Sequence, residues 1–205
     1  MSEPVRYADI EAEARDRAAA ALAQGETAAA RAAIAVAESA MAEALGQAEI
    51  ATAVAGAACA KGCGWCCHQV VGITAAEEMM VVEAVQALPP AARAGIRCRA
   101  GAAEDRLARL PVERWQAERL PCPLLDDGAC LIHAQRPLPC RAVLSADAGA
   151  CRRWFEGEDG ARIPLVAVQR RVYSSAQAGL AQALAGAGIP PGPVSLVEAL
   201  VIALA

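Results

Sequence analysis

A mainly helical fold wrapped around one irregular, cysteine-bearing region follows from three observations. The chain is 56% apolar but only 3% aromatic, so its core has to be built from Leu, Val, Ile and packed Ala, a composition that favours helices. Two Ser/Thr-x-x-Glu patterns, Thr74 with Glu77 and Ser195 with Glu198, precede apolar runs and read as helix starts. From Pro121 to Cys151, by contrast, Pro, Gly and Asp are frequent and the helical pattern stops. At 205 residues one core is the economical solution, so we expect a single domain over 1–205. Its parts are an N-terminal helical segment (1–56), a cysteine-cluster region (59–151) and C-terminal helices (152–205).

The first helix is expected over about 7–23, broken by Gly25. Thr27 then caps a longer Ala-rich helix reaching roughly to Ala55. Its larger apolar residues, Ile34, Met41, Leu45 and Val54, make a sparse stripe that suits packing within the domain or, as the alternative, a homodimer or partner contact through these N-terminal helices. "QVVGIT" reads as a short extended segment. The Thr74 helix ends at Pro89-Pro90, and further helical pieces fit 91–109 and about 112–119. Asp127-Gly128 between two short apolar runs signals a small hairpin, the one β element expected. Helix resumes over about 163–185, "GIPPGP" breaks it, and Ser195 opens a last apolar helix to Ala205.

Composition excludes several classes of function. Net charge is −4 and no basic tract is present, which argues against a nucleic-acid partner. The charged N-terminus lacks the apolar core of a signal peptide, and Arg31 and Glu38 interrupt the longest Ala-rich run, so neither export nor membrane insertion is expected. The expected compartment is the cytoplasm. In a reducing compartment nine cysteines are not a disulfide framework; closely spaced thiols there are metal ligands or redox groups.

Eight of the nine fall into two sets of four: Cys59, Cys63, Cys66 and Cys67, then Cys122, Cys130, Cys140 and Cys151. Both sets sit on Gly- or Pro-punctuated loops, where a backbone can wrap round an ion, and Gly62 and Gly64 ease that wrapping. Four thiolates satisfy either a tetrahedral Zn2+ with Zn–S near ~2.3 Å or an iron–sulfur cluster. Side chains of adjacent residues diverge, so one of Cys66 and Cys67 is expected to serve a second site or to be a buried thiol. Cys98, on a predicted helix between Arg97 and Arg99, is read as a bystander. Excess thiolate charge calls for nearby cations, with Arg141 and Arg136 the foremost candidates. His68, directly after Cys67, is expected beside the ligands, and Trp65 and Trp154 as shields against water. Asp126 and Asp127 are explained by turn chemistry, and no phosphate loop, nucleophile elbow or methyl-donor fingerprint is present.

"CAKGCGWCCHQVVGITAAE" followed by "CPLLDDGACLIHAQRPLPCR" resembles the YkgJ-type cysteine-cluster family of zinc- or iron-chelating domains. The shared features are the thiols ending in Cys66-Cys67, Thr74 with Glu77, Cys122-Pro123, Gly128-x-Cys130, Arg136-Pro137 and Cys140-Arg141. They span 59–151, and the chain departs from the pattern at His133, where tyrosine is usual. The resemblance implies a metal-binding protein with a structural or electron-transferring centre, either an iron–sulfur cluster of the 4Fe–4S type or Zn2+. Iron–sulfur is favoured by the nearly all-thiolate donor set and by Cys122-Pro123, which is similar to the Cys-Pro ending bacterial ferredoxin motifs. The alternative it implies is an iron–sulfur-dependent protein-modifying enzyme or subunit, since a relative is a flagellin lysine methylase. A metal-storage bundle is disfavoured, because the helices before Ala55 carry no cysteine.

Overall fold

The structure, a computed structural model, describes residues 4–60, 62–158 and 160–205. Among them are nine α-helices and two minimal antiparallel ribbons. The helices are α1 (Tyr7–Ala21), α2 (Glu26–Ala44), α3 (Ala48–Ala55), α4 (Ala75–Gln86), α5 (Pro90–Leu107), α6 (Leu138–Arg141), α7 (Ala148–Glu156), α8 (Ala167–Gly186) and α9 (Leu196–Ala203). The strands are β1 (Gly72–Ile73), β2 (Leu125–Asp126), β3 (Ala129–Cys130) and β4 (Val194–Ser195). The mainly helical expectation holds.

Helices α1, α2 and α8 pack on one another, and α2 also meets α4. Their interface is alanine upon alanine: Ala14, Ala18, Ala29, Ala30, Ala33, Ala37 and Ala176 are fully buried, with Ile34, Met41, Val172 and Leu180 among them. Small side chains let backbones approach closely, which is how a chain so poor in aromatics fills its core. Gly179 marks the closest approach, for a Cβ there would run into the Glu11 carbonyl oxygen and stand 2.8 Å from the Arg15 amide nitrogen. A second core joins α4, α5 and α9 through Ile73, Val81, Val85, Ile96 and Leu200, and Leu124 and Ile132 of the cysteine region belong to it.

Both capping boxes form. The Thr74 hydroxyl accepts from the Glu77 amide, Ser195 accepts from the last helix, and each Glu reaches back to the cap residue's amide. Asp127 and Gly128 turn β2 into β3 with φ of 44° and 73°, as a two-residue turn with positive φ at both positions requires.

Four expectations need correction. The second helix begins at Glu26 on a Gly25 cap rather than at Thr27, because Gly25 takes φ 106° and turns the chain first. It does not run on to Ala55: the chain breaks around Gly46 and restarts at Ala48 as α3, with extended Gln47 before it. The hairpin is not the one ribbon: "QVVGIT", extended as expected, pairs Gly72 and Ile73 with "VS" of β4, Gly72 opposite Ser195. Cys151 is not on a loop but inside α7, which Asp147 caps by accepting from the Ala150 amide and Gly157 ends at φ 84°. No helix among the described residues is long and apolar enough to cross a membrane.

Candidate metal centre

The two cysteine loops fold against each other. The Cys122 amide donates to the Cys67 carbonyl at 2.7 Å. A Cβ on Gly128 would stand 3.2 Å from the Gly62 carbonyl oxygen, and one on Gly64 would stand 3.1 Å from Leu125 Cδ1, so glycine at these positions is what lets the loops touch. A tight turn over Trp65–Cys67 presents the adjacent thiols, the β2–β3 ribbon carries Cys130, and α6 carries Cys140.

These elements enclose a cavity of about 510 Å³ lined by Cys66, Cys67, Cys122, Cys130 and Cys140. Apolar walls come from Val70, Leu124, Ile132 and Leu196, and the polar groups are Gln69, Gln177, Arg136 and Arg170, with no carboxylate among the lining residues. Cys66 and Cys67, expected to diverge, both border this one space because it is wide enough to take both. The space the five thiols surround is larger than a single point of convergence. Among the described residues no group of three or more Cys, His, Asp or Glu is arranged to hold a metal ion as it stands.

The remaining three thiols lie outside the cavity. Cys59 Sγ accepts from the Ser145 amide at 3.3 Å, and Ser145 also hydrogen-bonds Cys151. Cys151 is close enough to Cys59, Cys63 and Cys66 for their charges to act on it. Cys66 thus stands between an inner group of five and an outer group of three, a division different from the four and four of the sequence. The cause is α7, which packs on the Trp65–Cys67 turn and brings Cys151 to the first loop.

Protonation follows from this crowding. The Cys67 thiol donates to Cys66, which holds Cys66 down to about 6, with the Arg136 charge assisting. Cys67 itself is pushed far up by the same bond and by burial. Burial pushes Cys122 up to about 11, and the neighbouring charges of Cys130 and Cys66 add to it. Burial also raises Cys140 and Cys130, against the pull of Arg136. Without a cation the pocket's thiols therefore stay mainly protonated, since each thiolate formed there makes the next harder to form, a conflict that a bound cation relieves.

Of the residues expected beside the ligands, Arg136 lines the cavity, with its Nε donating to the His133 carbonyl. Arg141 acts through the backbone: it donates to the carbonyls of Arg136 (2.7 Å) and Ala134 (2.5 Å) and to Glu38 on α2 (2.8 Å), pinning the Cys140 turn to the helical frame. His68 lies with its ring 4.4 Å from Phe155 and its Nδ1 2.9 Å from the Gly64 carbonyl oxygen, away from the cavity wall. Trp65 joins that aromatic group at 5.4 Å from Phe155, and Trp154 stacks under Arg119. His133 is exposed, and the Arg136 charge lowers it. Cys98 is exposed on α5.

The sequence reading missed Arg99, Arg170, Gln177 and Ser145. Arg99 donates to the Pro123 carbonyl at 2.8 Å and to Asp126 at 3.4 Å, its charge lowers Cys122, and its Nη2 is buried without a hydrogen-bond partner among the described residues. A buried guanidinium nitrogen left unpaired beside a thiol that is costly to ionise fits a site completed by thiolate charge. The all-sulfur donor set suits zinc or iron and disfavours hard oxygen-seeking ions. Donor chemistry and placement therefore fit such a metal, while closing a ligand sphere requires the thiols to move inward.

A helical frame here carries a thiol-lined cavity, the arrangement expected of a cysteine-cluster metal-chelating domain. Residues 58–156, just under half of the chain, match the model of the family CxxCxxCC, described as "Putative zinc- or iron-chelating domain". The match agrees with the YkgJ-type resemblance and covers every thiol of both groups. No curated protein and no solved structure matches the chain.

Proposed function

We propose that this domain holds an iron–sulfur cluster in the cavity between its two cysteine loops, with a structural or electron-transferring role. The observation that carries the reading is that five thiols from four separate chain segments line one cavity of about 510 Å³. A cluster attaches its thiolates to separate irons and so suits sulfurs spread round a space, whereas a single Zn2+ draws four to within ~2.3 Å of one point. Cys66 with three of Cys67, Cys122, Cys130 and Cys140 would supply the ligands. Arg136 and Arg170 in the wall, with Arg99 behind Cys122, would balance the surplus thiolate charge. Bound there, the cluster would supply one-electron redox chemistry or cross-link loops that have few regular hydrogen bonds of their own.

Anaerobic purification followed by metal and acid-labile sulfide analysis tests this. Iron with matching sulfide and visible thiolate-to-iron absorption is the expected result; a colourless protein with stoichiometric zinc assigns the site to structural zinc instead.

One observation favours a second reading, a protein-modifying enzyme. The cavity volume falls in the range of small-molecule sites, and Gln69, Gln177, Arg136 and Arg170 give it polar walls. Calorimetric titration of the metal-loaded protein with a methyl donor distinguishes the two, binding being required by the enzyme and absent for a passive centre.

A further inference from the structure

Glu77 is fully buried, far more than a helix-capping glutamate needs to be. Its Oε2 accepts from the Thr74 amide (2.8 Å), the Thr74 hydroxyl (2.9 Å) and Gln177 Nε2 (3.1 Å). Its Oε1 accepts from the Leu138 amide at 2.7 Å, a residue 61 positions away. The capping box uses only the bonds to Thr74; those to Leu138 and Gln177 serve something else.

Both surplus partners belong to the thiol cavity. Gln177 lines it. Leu138 opens α6, the single turn "LPCR" that carries Cys140. One turn of helix has no stability of its own, because nucleation is costly and only a few bonds repay it. Two prolines, Pro137 and Pro139, have no amide N–H with which to anchor it elsewhere. Cys140 and Arg141 both donate their amides to the Pro137 carbonyl, which leaves the Leu138 amide as the turn's orphan donor, and Glu77 is what satisfies it. The Leu138 side chain is itself fully buried, so no water can replace the carboxylate there.

We infer that Glu77 is a positioning residue of the thiol site: its carboxylate clamps the Cys140 turn and the cavity-lining Gln177 to the start of α4, and so fixes where the Cys140 sulfur stands. The inference rests on the cavity being the functional site, and its test does not depend on a metal being bound.

The test follows alkylation of the reduced, metal-free protein by N-ethylmaleimide, with label at each cysteine quantified by peptide mass spectrometry. In Glu77→Gln an amide donor faces donors it cannot accept from, and Cys140 is expected to label roughly tenfold faster, the factor that one lost buried hydrogen bond supports. Labelling of Cys130, held on its ribbon, should stay within about twofold. Val85→Ala, which loosens the same helix at a core position that does not line the cavity, should leave the Cys140 rate unchanged under native conditions. Equal Cys140 rates in wild type and Glu77→Gln, or equal acceleration in Val85→Ala, overturn the inference. Should Glu77→Gln not fold, amide hydrogen exchange on the unmodified protein decides: Leu138 protected like the interior amides of α4 supports the clamp, and free exchange at Leu138 refutes it. Metal content measured alongside separates the two claims, since a wild type that binds no metal sinks the functional reading while the labelling result still stands or falls alone.

Discussion

Raising the pH of the reduced, metal-free protein from about 8 to about 10.5 should destabilise it through Cys122. Burial first, then the charges of Cys130 and Cys66, push this thiol from 9.0 to about 11 in the folded chain. In that window the folded state keeps a proton that the unfolded chain has already released. Stability therefore falls as pH rises through it. At 1.36 kcal/mol per unit the complete shift corresponds to roughly 2–3 kcal/mol, and at about pH 10.5 some 2 kcal/mol of it should be lost. Urea titrations at the two pH values measure the loss in wild type and in Cys122→Ser, whose hydroxyl does not titrate there. Other alkaline effects are common to both proteins, so the variant should lose about 2 kcal/mol less than wild type. Equal losses, within a few tenths of a kcal/mol, would show that Cys122 is not held as a buried neutral thiol, and the account of the pocket's protonation would fail.

Three further outcomes follow from the same geometry. Cys66 is already deprotonated at neutral pH while Cys122, Cys130 and Cys140 are not, so a four-thiolate site releases about three protons on binding Zn2+. Its apparent affinity, measured by competition with a chromophoric chelator, should rise about a thousandfold per pH unit between about 7 and 8; a slope of one or less contradicts the ligand set. Gly179→Ala should lower stability by roughly 1–3 kcal/mol, several degrees in Tm by calorimetry, through collision with α1, whereas Gly101→Ala, with nothing within 4 Å of its Cβ, should cost nothing. Cys98→Ser should leave metal content unchanged while removing an exposed thiol that labels readily.

Where a feature depends on nearby residues, it was legible in the sequence. Thr74 with Glu77 fixes the start of α4, and Asp127-Gly128 fixes the ribbon that carries Cys130. Helix α7 also left local signals, Asp147 at its start and Gly157 at its end, which were masked by the Pro- and Gly-rich segment before it. What could not be read depends on distant contacts. The bond from Leu138 to Glu77 spans 61 residues, and the pairing of "GI" with "VS" joins residues 72–73 to residues 194–195. The cysteines illustrate the same limit. Proximity in the chain groups Cys59 and Cys63 with Cys66 and Cys67, but the packing of α7 draws them toward Cys151 and leaves Cys66 and Cys67 with the second loop. Arg99 carries no local signal, since Cys98 beside it is exposed on α5 while its own guanidinium reaches Pro123, 24 residues along the chain.

The most direct test compares two triple variants of the anaerobically purified protein, Cys122→Ser/Cys130→Ser/Cys140→Ser and Cys59→Ser/Cys63→Ser/Cys151→Ser, by metal bound per folded chain. The account predicts that the first loses its metal and the second retains it. Retention in the first, with loss in the second, would contradict the placement of the centre in the five-thiol cavity.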